Sequence, residues 1–367
     1  MILGDIIKQF EEKIPLSLQE EWDTGGLQVG SRQAKVSRVL FAYDPCHEVV
    51  RHAARQKAQL IVTHHPLRMK PWKNLDLDSY DGKTVEEAIR SGIAIYSAHT
   101  SHDSSPHSLN RHYASELGLK NCKPLRPQTE TPYVKLAVFV PVAQTKKVME
   151  ALFAAGAGHI GDYSSCSFRT EGTGTFKGEE GTNPFLGKPG VLEEAKENRV
   201  EVVLDKKDLP QVISAMIAAH PYEEVAYDIL PLGNQRNDIG SGIKGELEKS
   251  VKLGSLVKKV KEIFEVSSLR LTGDPEKSIR TVALCTGSGT SLLQDVVAQK
   301  MDLFITGDVK YHYAVEALRS NVALIDVGHF HSEIKSVTLL RDLFKELFGA
   351  KLELIEYKEL RDPLVTF

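Results

Sequence analysis

Short apolar runs recur along this chain, each closed by a polar residue and followed by a helical pattern. That alternation limits the fold to βα units around a mainly parallel sheet. The runs are Val39–Tyr43, Leu60–Thr63, Ile93–Ala98, Thr281–Cys285, Leu303–Thr306 and Val322–Val327, with helical stretches such as Glu48–Gln56 and Leu292–Gln299 between them. Asp44, His64 with His65, His99 with Thr100, Gly287 with Ser288, Asp308 and His329 each come just after one of these strands. In an open parallel sheet, ligands bind beyond the carboxyl ends of the strands. Residues far apart in sequence are therefore expected to converge at one edge of one α/β sheet.

The middle of the chain follows another plan. Tyr133–Pro141 reads as a strand and Thr145–Ala155 as a helix. The possible strands Tyr163–Arg169 and Gly174–Lys177 follow, then a strand at Arg199–Leu204, a helix at Leu209–Ala219 and a strand at Glu224–Leu230. The order βαββαβ is the ferredoxin-like plan. Nine of the 27 glycines lie between Gly156 and Gly190, so that stretch is expected to be loop and hairpin rather than core. Turn signals at Arg126-Pro127-Gln128 and Gly233-Asn234-Gln235 bracket the segment. The expected organisation is an α/β domain in two pieces, 1–127 and 236–367, interrupted by an inserted α+β domain at 128–235. At roughly 150 residues per domain, 367 residues are enough for both.

Charge and cysteine usage exclude several classes. The formal net charge of -3 gives a polyanion no global attraction, and Lys258, Lys259 and Lys261 read as a solvated helix face, so nucleic acid is not an expected partner. Cys46, Cys122, Cys166 and Cys285 form no C-x-x-C pair, which fits free thiols in a reducing compartment rather than a zinc knuckle or a disulfide framework. Met1–Ile14 has the pattern of an amphipathic helix rather than a signal peptide, and no stretch is apolar for the length of a membrane span. A cytoplasmic location is expected.

Three clusters carry the chemistry. In Thr63-His64-His65-Pro66, adjacent histidines after a strand point different ways, so one segment can serve two neighbouring ions, and Pro66 fixes the exit of the chain. The plainer alternative is one core histidine beside one exposed histidine. In His99-Thr100-Ser101-His102-Asp103, Asp103 offers a hard oxygen ligand, or simply a helix cap. In Gly328-His329-Phe330-His331-Ser332-Glu333, His329 and Glu333 share one face of a helix that starts there, and give a nitrogen and a carboxylate on one turn. Each cluster alone has an ordinary explanation. Three of them, all after strands, point to a metal site.

These motifs resemble the Nif-three-like family, known also as GTP cyclohydrolase I type 2 homologues, over nearly the whole chain. Trp22-Asp23-Thr24-Gly25-Gly26-Leu27-Gln28-Val29-Gly30 is similar to its WDNxGLQVG opening, Thr63–Pro66 to THHP and His99–Asp103 to HTxxD. Gly307–His312 is similar to GDxKYH, and Gly328–Glu333 to GHxxxE. The middle segment resembles the PII/CutA-like insert of the longer members through Asn183-Pro184-Phe185-Leu186-Gly187 and His220-Pro221-Tyr222-Glu223-Glu224-Val225-Ala226-Tyr227. The resemblance implies two divalent metal ions (zinc, manganese or iron) on His64, His65, Asp103, His329 and Glu333, and a toroidal homohexamer. Three histidines depart from the family pattern: His102 replaces an apolar residue, His107 lies in an altered turn (Pro106–Asn110), and His331 follows Phe330 in place of a Tyr-Ala-like pair. They are read as surface substitutions, with altered metal preference as the alternative.

Five protein ligands for two ions leave open positions, the mark of a catalytic rather than a structural site. A pair of ions roughly 3.5–4 Å apart can polarise water and clamp a phosphoryl or carbonyl oxygen, so metal-assisted hydrolysis is the expected reaction, with Glu333 as the bridging carboxylate. His99 and His312 are placed to touch a small-molecule substrate or move protons, or to hydrogen-bond behind the ligands. The loop Cys285–Thr290 is expected to hold a phosphate on its backbone N–H groups. It matches neither G-x-G-x-x-G, since Leu292 stands at the third glycine, nor a P-loop, since it lacks the lysine. Two functions follow: a metal-dependent hydrolase of a nucleotide or other phosphorylated small molecule, or a non-enzymatic hexameric metal-binding or regulatory scaffold. Nothing in the residues selects guanine.

Overall fold

The structure, a computed structural model, describes residues 1–128, 133–234, 238–359 and 361–365. Gln235, in the second expected boundary signal, lies outside them, as does the boundary at 235/236. The chain divides into two compact units: Met1–Pro127 with Asn237–Phe367, and Gln128–Arg236.

The first unit contains two sheets where the sequence reading expects one. Strands β1 (Gly26–Val29), β2 (Arg38–Ala42), β3 (Leu60–Thr63), β4 (Ala94–Ser97) and β15 (Glu353–Glu356) form the first, in the order β1-β4-β3-β2-β15. Strands β2, β3, β4 and β15 run parallel, and β1 is antiparallel to β4. The second sheet has the order β11-β14-β13-β12-β10-β5, from β5 (Lys120–Pro127), β10 (Gly240–Lys252), β11 (Arg270–Thr272), β12 (Ser278–Leu284), β13 (Leu303–Thr306) and β14 (Ala323–Asp326). Here only β12, β13 and β14 are parallel to one another. The apolar runs of the two sheets look alike, and their separation depends on partners: β10 pairs antiparallel with β12, and β15 closes onto β2.

Both sheets are covered by helices on both faces, which is why β3, β13 and β14 are buried at every position and read as unbroken apolar runs. The alternation within β2 shows the two faces. Val39 and Phe41 join Phe10 of helix Leu3–Lys13 and Phe344 of helix Ser336–Phe348, while Leu40 and Ala42 join Val49, Val50 and Ala88 from helices His47–Arg55 and Tyr80–Arg90. In the second sheet, Leu303 and Ile305 pack with Tyr113 and Phe264 on one side, and Phe304 packs with Leu293 and Ala317 on the other. Truncating one such side chain to alanine costs about 2–5 kcal/mol. No helix among the described residues is long and apolar enough to cross a membrane.

The second unit has the order βαββαβ. Strands β6 (Tyr133–Pro141), β7 (Ser167–Lys177), β8 (Leu192–Asp205) and β9 (Tyr227–Pro231) form one antiparallel sheet in the order β7-β8-β6-β9. Helices Thr145–Ala154 and Leu209–Ala219 set Val148, Leu152, Val212 and Met216 on Leu136, Val138, Val200 and Val202. The two strands expected at Tyr163–Arg169 and Gly174–Lys177 are one, β7, paired with β8 along its whole length. Its mostly exposed, glycine-containing face gives no two-residue alternation to read.

The second unit leaves the first between two paired residues: Pro127 at the end of β5 lies opposite Gly240 at the start of β10. Ends this close can be joined by a short turn. Replacing 128–235 with a short Gly/Ser joint is expected to leave a protein that unfolds cooperatively with the α/β circular dichroism of the first unit. A chain that is unfolded by the same measurement contradicts the division.

Candidate metal centre

The first unit gathers the carboxyl ends of strands from both sheets. Tyr43 and Asp44 follow β2, His64 and His65 follow β3, and His99 and Asp103 follow β4 in the first sheet; Asp308 follows β13 and helix His329–Glu333 follows β14 in the second. The left-handed Gly328 (φ 82°) turns the chain from β14 into that helix. All five side chains singled out by the sequence come together, but from two sheets rather than one edge.

Glu333 sits at the centre, 3% exposed. Its Oε2 accepts a hydrogen bond from the Tyr43 hydroxyl at 2.8 Å and lies 2.9 Å from His329 Nε2 and 3.2 Å from His65 Nε2. Its Oε1 lies 3.6 Å from His64 Nε2, which is also 4.0 Å from Asp103 Oδ2. One carboxylate oxygen thus faces each of two groups: His65, His329 and Glu333 bring ligand atoms within 4.8 Å of one another, and so do His64, His102 and Asp103. A third set, His64, His65 and His99, spans them.

Carboxylates behind the rings orient them. Asp44 Oδ1 is 2.7 Å from His65 Nδ1, and Asp308 Oδ2 is 2.7 Å from His329 Nδ1, so each Nε2 is aimed at Glu333. Asp23 holds His99 Nδ1 at 3.1 Å and accepts from the amide and hydroxyl of Thr100. This explains the Trp22-Asp23 motif near the start of the chain. Asp326 is used elsewhere: it accepts from Arg270 and from the amides of Val309 and Gly328.

The electrostatics follow from this crowding. Burial opposes ionisation of Glu333, but the adjacent rings of His64, His329 and His65 hold its carboxyl well below the usual range. Burial would lower His65, yet its hydrogen bond to Asp44 and the nearby charge of Glu333 push it up to about 10. The bond to Glu333 likewise raises His329 to about 9. Fully buried His64 goes the other way, to about 4, despite Glu333. Burial and the charge of Glu333 raise Asp103.

Several atoms here have no partner. His64 Nδ1 and Nε2, His65 Nε2 and Asp103 Oδ1 are shielded from solvent and make no hydrogen bond. Each such group costs about 1–3 kcal/mol if left unsatisfied. Imidazole nitrogens and carboxylate oxygens are the donor set of divalent transition-metal ions, so the residues present fit a metal.

Three sequence expectations need correction or refinement. His102 is 1% exposed, not on the surface: its Nε2 meets the His107 carbonyl at 3.1 Å, and burial lowers its pKa to about 3. The turn Pro106–Asn110 folds back over it, while His107 itself is exposed and His331 is half-buried, 3.8 Å from Asp362. His312 lies exposed at the start of helix Tyr311–Arg319, and no hydrogen bond, ion pair or ring contact links it to the cluster among the described residues. The loop Cys285–Thr290 does not offer a free backbone cradle. The amides of Thr286, Gly287 and Gly289 are taken by Asn110, Ser332 and Thr306. Instead the loop brings Gly287 against Glu333.

The fold and the cluster define an α/β protein with a buried histidine–carboxylate group able to hold metal ions. The chain belongs to the Duf34/NIF3 (NGG1p interacting factor 3) family, whose sequence profile matches residues 1–363. A Halalkalibacterium halodurans protein named GTP cyclohydrolase 1 type 2 homolog is 41% identical over 324 residues, covering 88% of this chain and 87% of that one. A Bacillus subtilis protein of the same name is 35% identical over 338 residues, covering 92% and 91%. The crystal structure of a Bacillus cereus protein related to NIF3 is similar with a TM-score of 0.87 at 36% identity, covering 100% of this chain and 99% of that one.

Gly287 has φ 65°, and a Cβ there would overlap Glu333 Oε1. Gly287→Ala is therefore expected to destabilise the protein by about 1–3 kcal/mol, read as a lower midpoint in denaturant. An unchanged midpoint contradicts the close packing of this loop on Glu333.

Proposed function

We propose that the first unit binds two divalent metal ions, zinc, manganese or iron, on His64, His65, Asp103, His329 and Glu333, and acts as a metal-dependent hydrolase of a nucleotide or other phosphorylated small molecule. The observation that carries this reading is the set of buried, unpartnered ligand atoms on His64, His65 and Asp103 around Glu333. A structural role would satisfy these atoms with hydrogen bonds. With one oxygen toward His64 and the other toward His65 and His329, Glu333 suits a bridging role. Ions held there would supply Lewis-acid polarisation of a phosphoryl or carbonyl oxygen.

The chain's own residues supply the rest. A cavity of about 320 Å³ opens beside Asp103, lined by Trp22, Arg126, Thr286 and Ser288 among others. Trp22 offers a flat apolar face, which suits a planar group, while Arg126 at the rim is already paired with Asp295. The name of the relatives, GTP cyclohydrolase 1 type 2 homolog, also favours a nucleotide. His99 is fixed at Nδ1 by Asp23, and its Nε2 makes no hydrogen bond to the described residues, so it can hold or pass a proton there. We further infer that Gln128–Arg236 is an inserted ferredoxin-like, PII/CutA-like domain. Its element order, its strand order β7-β8-β6-β9 and the pairing of Pro127 with Gly240 support this.

Elemental analysis after saturation is expected to give two ions per chain. Glu333→Gln keeps shape but removes charge, and should lower occupancy of both positions, whereas His64→Ala should mainly empty one. Metal-dependent turnover of phosphoesters or nucleotides should stop in His64→Ala. One ion or none at saturation sinks the dinuclear reading. A fully loaded protein inert to the whole panel sinks the hydrolase and leaves the scaffold, whose homohexamer sedimentation would detect.

Loading should also release protons. His65 and His329, raised to about 10 and 9, carry protons at neutral pH in the metal-free chain, and a ligating nitrogen must lose its proton. Apparent metal affinity is expected to rise with pH from 7 to 9. Calorimetry in buffers of different ionisation enthalpy measures the release, and no buffer dependence contradicts the assignment of these two rings as ligands.

A further inference from the structure

A cavity of about 370 Å³ lies within Gln128–Arg236, in the size range of small-ligand sites, about 300–1,000 Å³. The two motifs that set this segment apart in the sequence both line it, through Pro184 and Phe185 and through Tyr222 to Glu224. The proposed hydrolase uses neither.

Its deepest charged group is Glu197, 8% exposed, on β8. One oxygen accepts the Tyr222 hydroxyl at 2.8 Å, and no lysine, arginine or histidine forms an ion pair with it among the described residues. Beside it β7 carries Gly174, where a Cβ would meet Glu197 Oε2, so the strand is bare where this carboxylate borders the cavity. An ionised carboxylate taken out of water needs a compensating charge.

Three aromatic rings stand around it. Phe176 and Phe185 have centroids 6.0 and 6.1 Å from that of Tyr222, at interplanar angles of 54° and 51°, so the rings surround space rather than stack. Tyr222 is fixed from behind: His220 Nδ1 accepts its amide at 3.1 Å, and His220 Nε2 meets the Phe139 carbonyl at 3.0 Å. Burial, then Glu197, push the Tyr222 hydroxyl above the usual phenol range, so it stays protonated and donates. Among the lining residues Glu179, Glu223 and Glu224 add negative charge against Lys177 alone. Aromatic faces attract a cation within about 6 Å of the centroid, most strongly when it is desolvated. A bare metal ion would find only one buried carboxylate here, too few ligands to replace its water.

We propose that this cavity binds a small organic ammonium ion, its charge on Glu197 and its alkyl groups against Phe176, Phe185 and Tyr222. The pairing of one buried carboxylate with a partial cage of rings selects a cation with an apolar surface over both metal ions and neutral molecules.

The test uses the full chain with choline, n-butylammonium and 3,3-dimethylbutan-1-ol, the uncharged carbon isostere of choline, followed by saturation-transfer difference NMR and calorimetry. The ammonium probes are expected to bind saturably and the neutral isostere about tenfold or more weaker. Glu197→Gln, which can still accept from Tyr222, should abolish that preference. Phe185→Ala alters a half-exposed ring and should weaken ammonium binding several-fold even if the buried substitution unfolds the domain. Equal binding of choline and its isostere, no saturable binding of either ammonium ion, or unchanged ammonium affinity in both variants overturns the proposal.

Discussion

A carboxylate buried among imidazole rings governs how the first unit is put together. Glu333 is almost wholly removed from water, where an unpaired ion costs several kcal/mol even after relaxation. It is held by Tyr43 from one sheet and by the helix turn that carries His329 from the other, with His64 and His65 alongside. These groups must arrive from three strand ends, those of β2, β3 and β14, for the charge to be tolerated. The exact placement of β2, β3 and β14 is therefore tied to the chemistry at their ends, and the bare Gly287 loop closes the remaining side.

Much of this was legible in the chain. Leu60–Thr63, Leu303–Thr306, Tyr133–Pro141 and Leu209–Ala219 are read to the residue, because two-sided burial and a clean amphipathic pattern leave little ambiguity in where such elements begin and end. The three clusters that hold His64, His65, Asp103, His329 and Glu333 stand out by one rule, that polar residues after parallel strands meet, and the family resemblance picks these five from them. What stays hidden depends on long-range pairing. Nothing local says that β12 joins an antiparallel β10, so one sheet is expected where two exist. His102 is misjudged because its burial depends on how the turn Pro106–Asn110 folds over it. The backbone of Cys285–Thr290 looks available until Asn110, Ser332 and Thr306, all distant in sequence, are found bonded to it.

The two sheets solve the same orientation problem in the same way. In each, an aspartate after one strand holds the Nδ1 of a histidine after the adjacent parallel strand: Asp44 with His65 across β2 and β3, and Asp308 with His329 across β13 and β14. The sequence separation within each pair is 21 residues. In each case the separation spans one helix and one strand, from the end of β2 to that of β3 and from the end of β13 to that of β14. It explains why Asp44 and Asp308 stand out after strands although neither is placed among the ligands themselves.

The pairing of Pro127 with Gly240 bears on the order of events during folding. The two strands are neighbours in space, yet the chain between them is roughly a hundred residues long, and closing so long a flexible loop is entropically unfavourable. If Gln128–Arg236 collapses first on its own core of Val138, Leu152, Val200 and Met216, that loop becomes a compact body rather than a wandering coil, and the search for the β5–β10 register shortens. During synthesis the middle segment emerges before β10 exists. The first unit must therefore wait, half made, with β5 unpaired until Gly240–Lys252 arrives and Leu125 uncovered until Ala283, Leu292 and Phe304 follow.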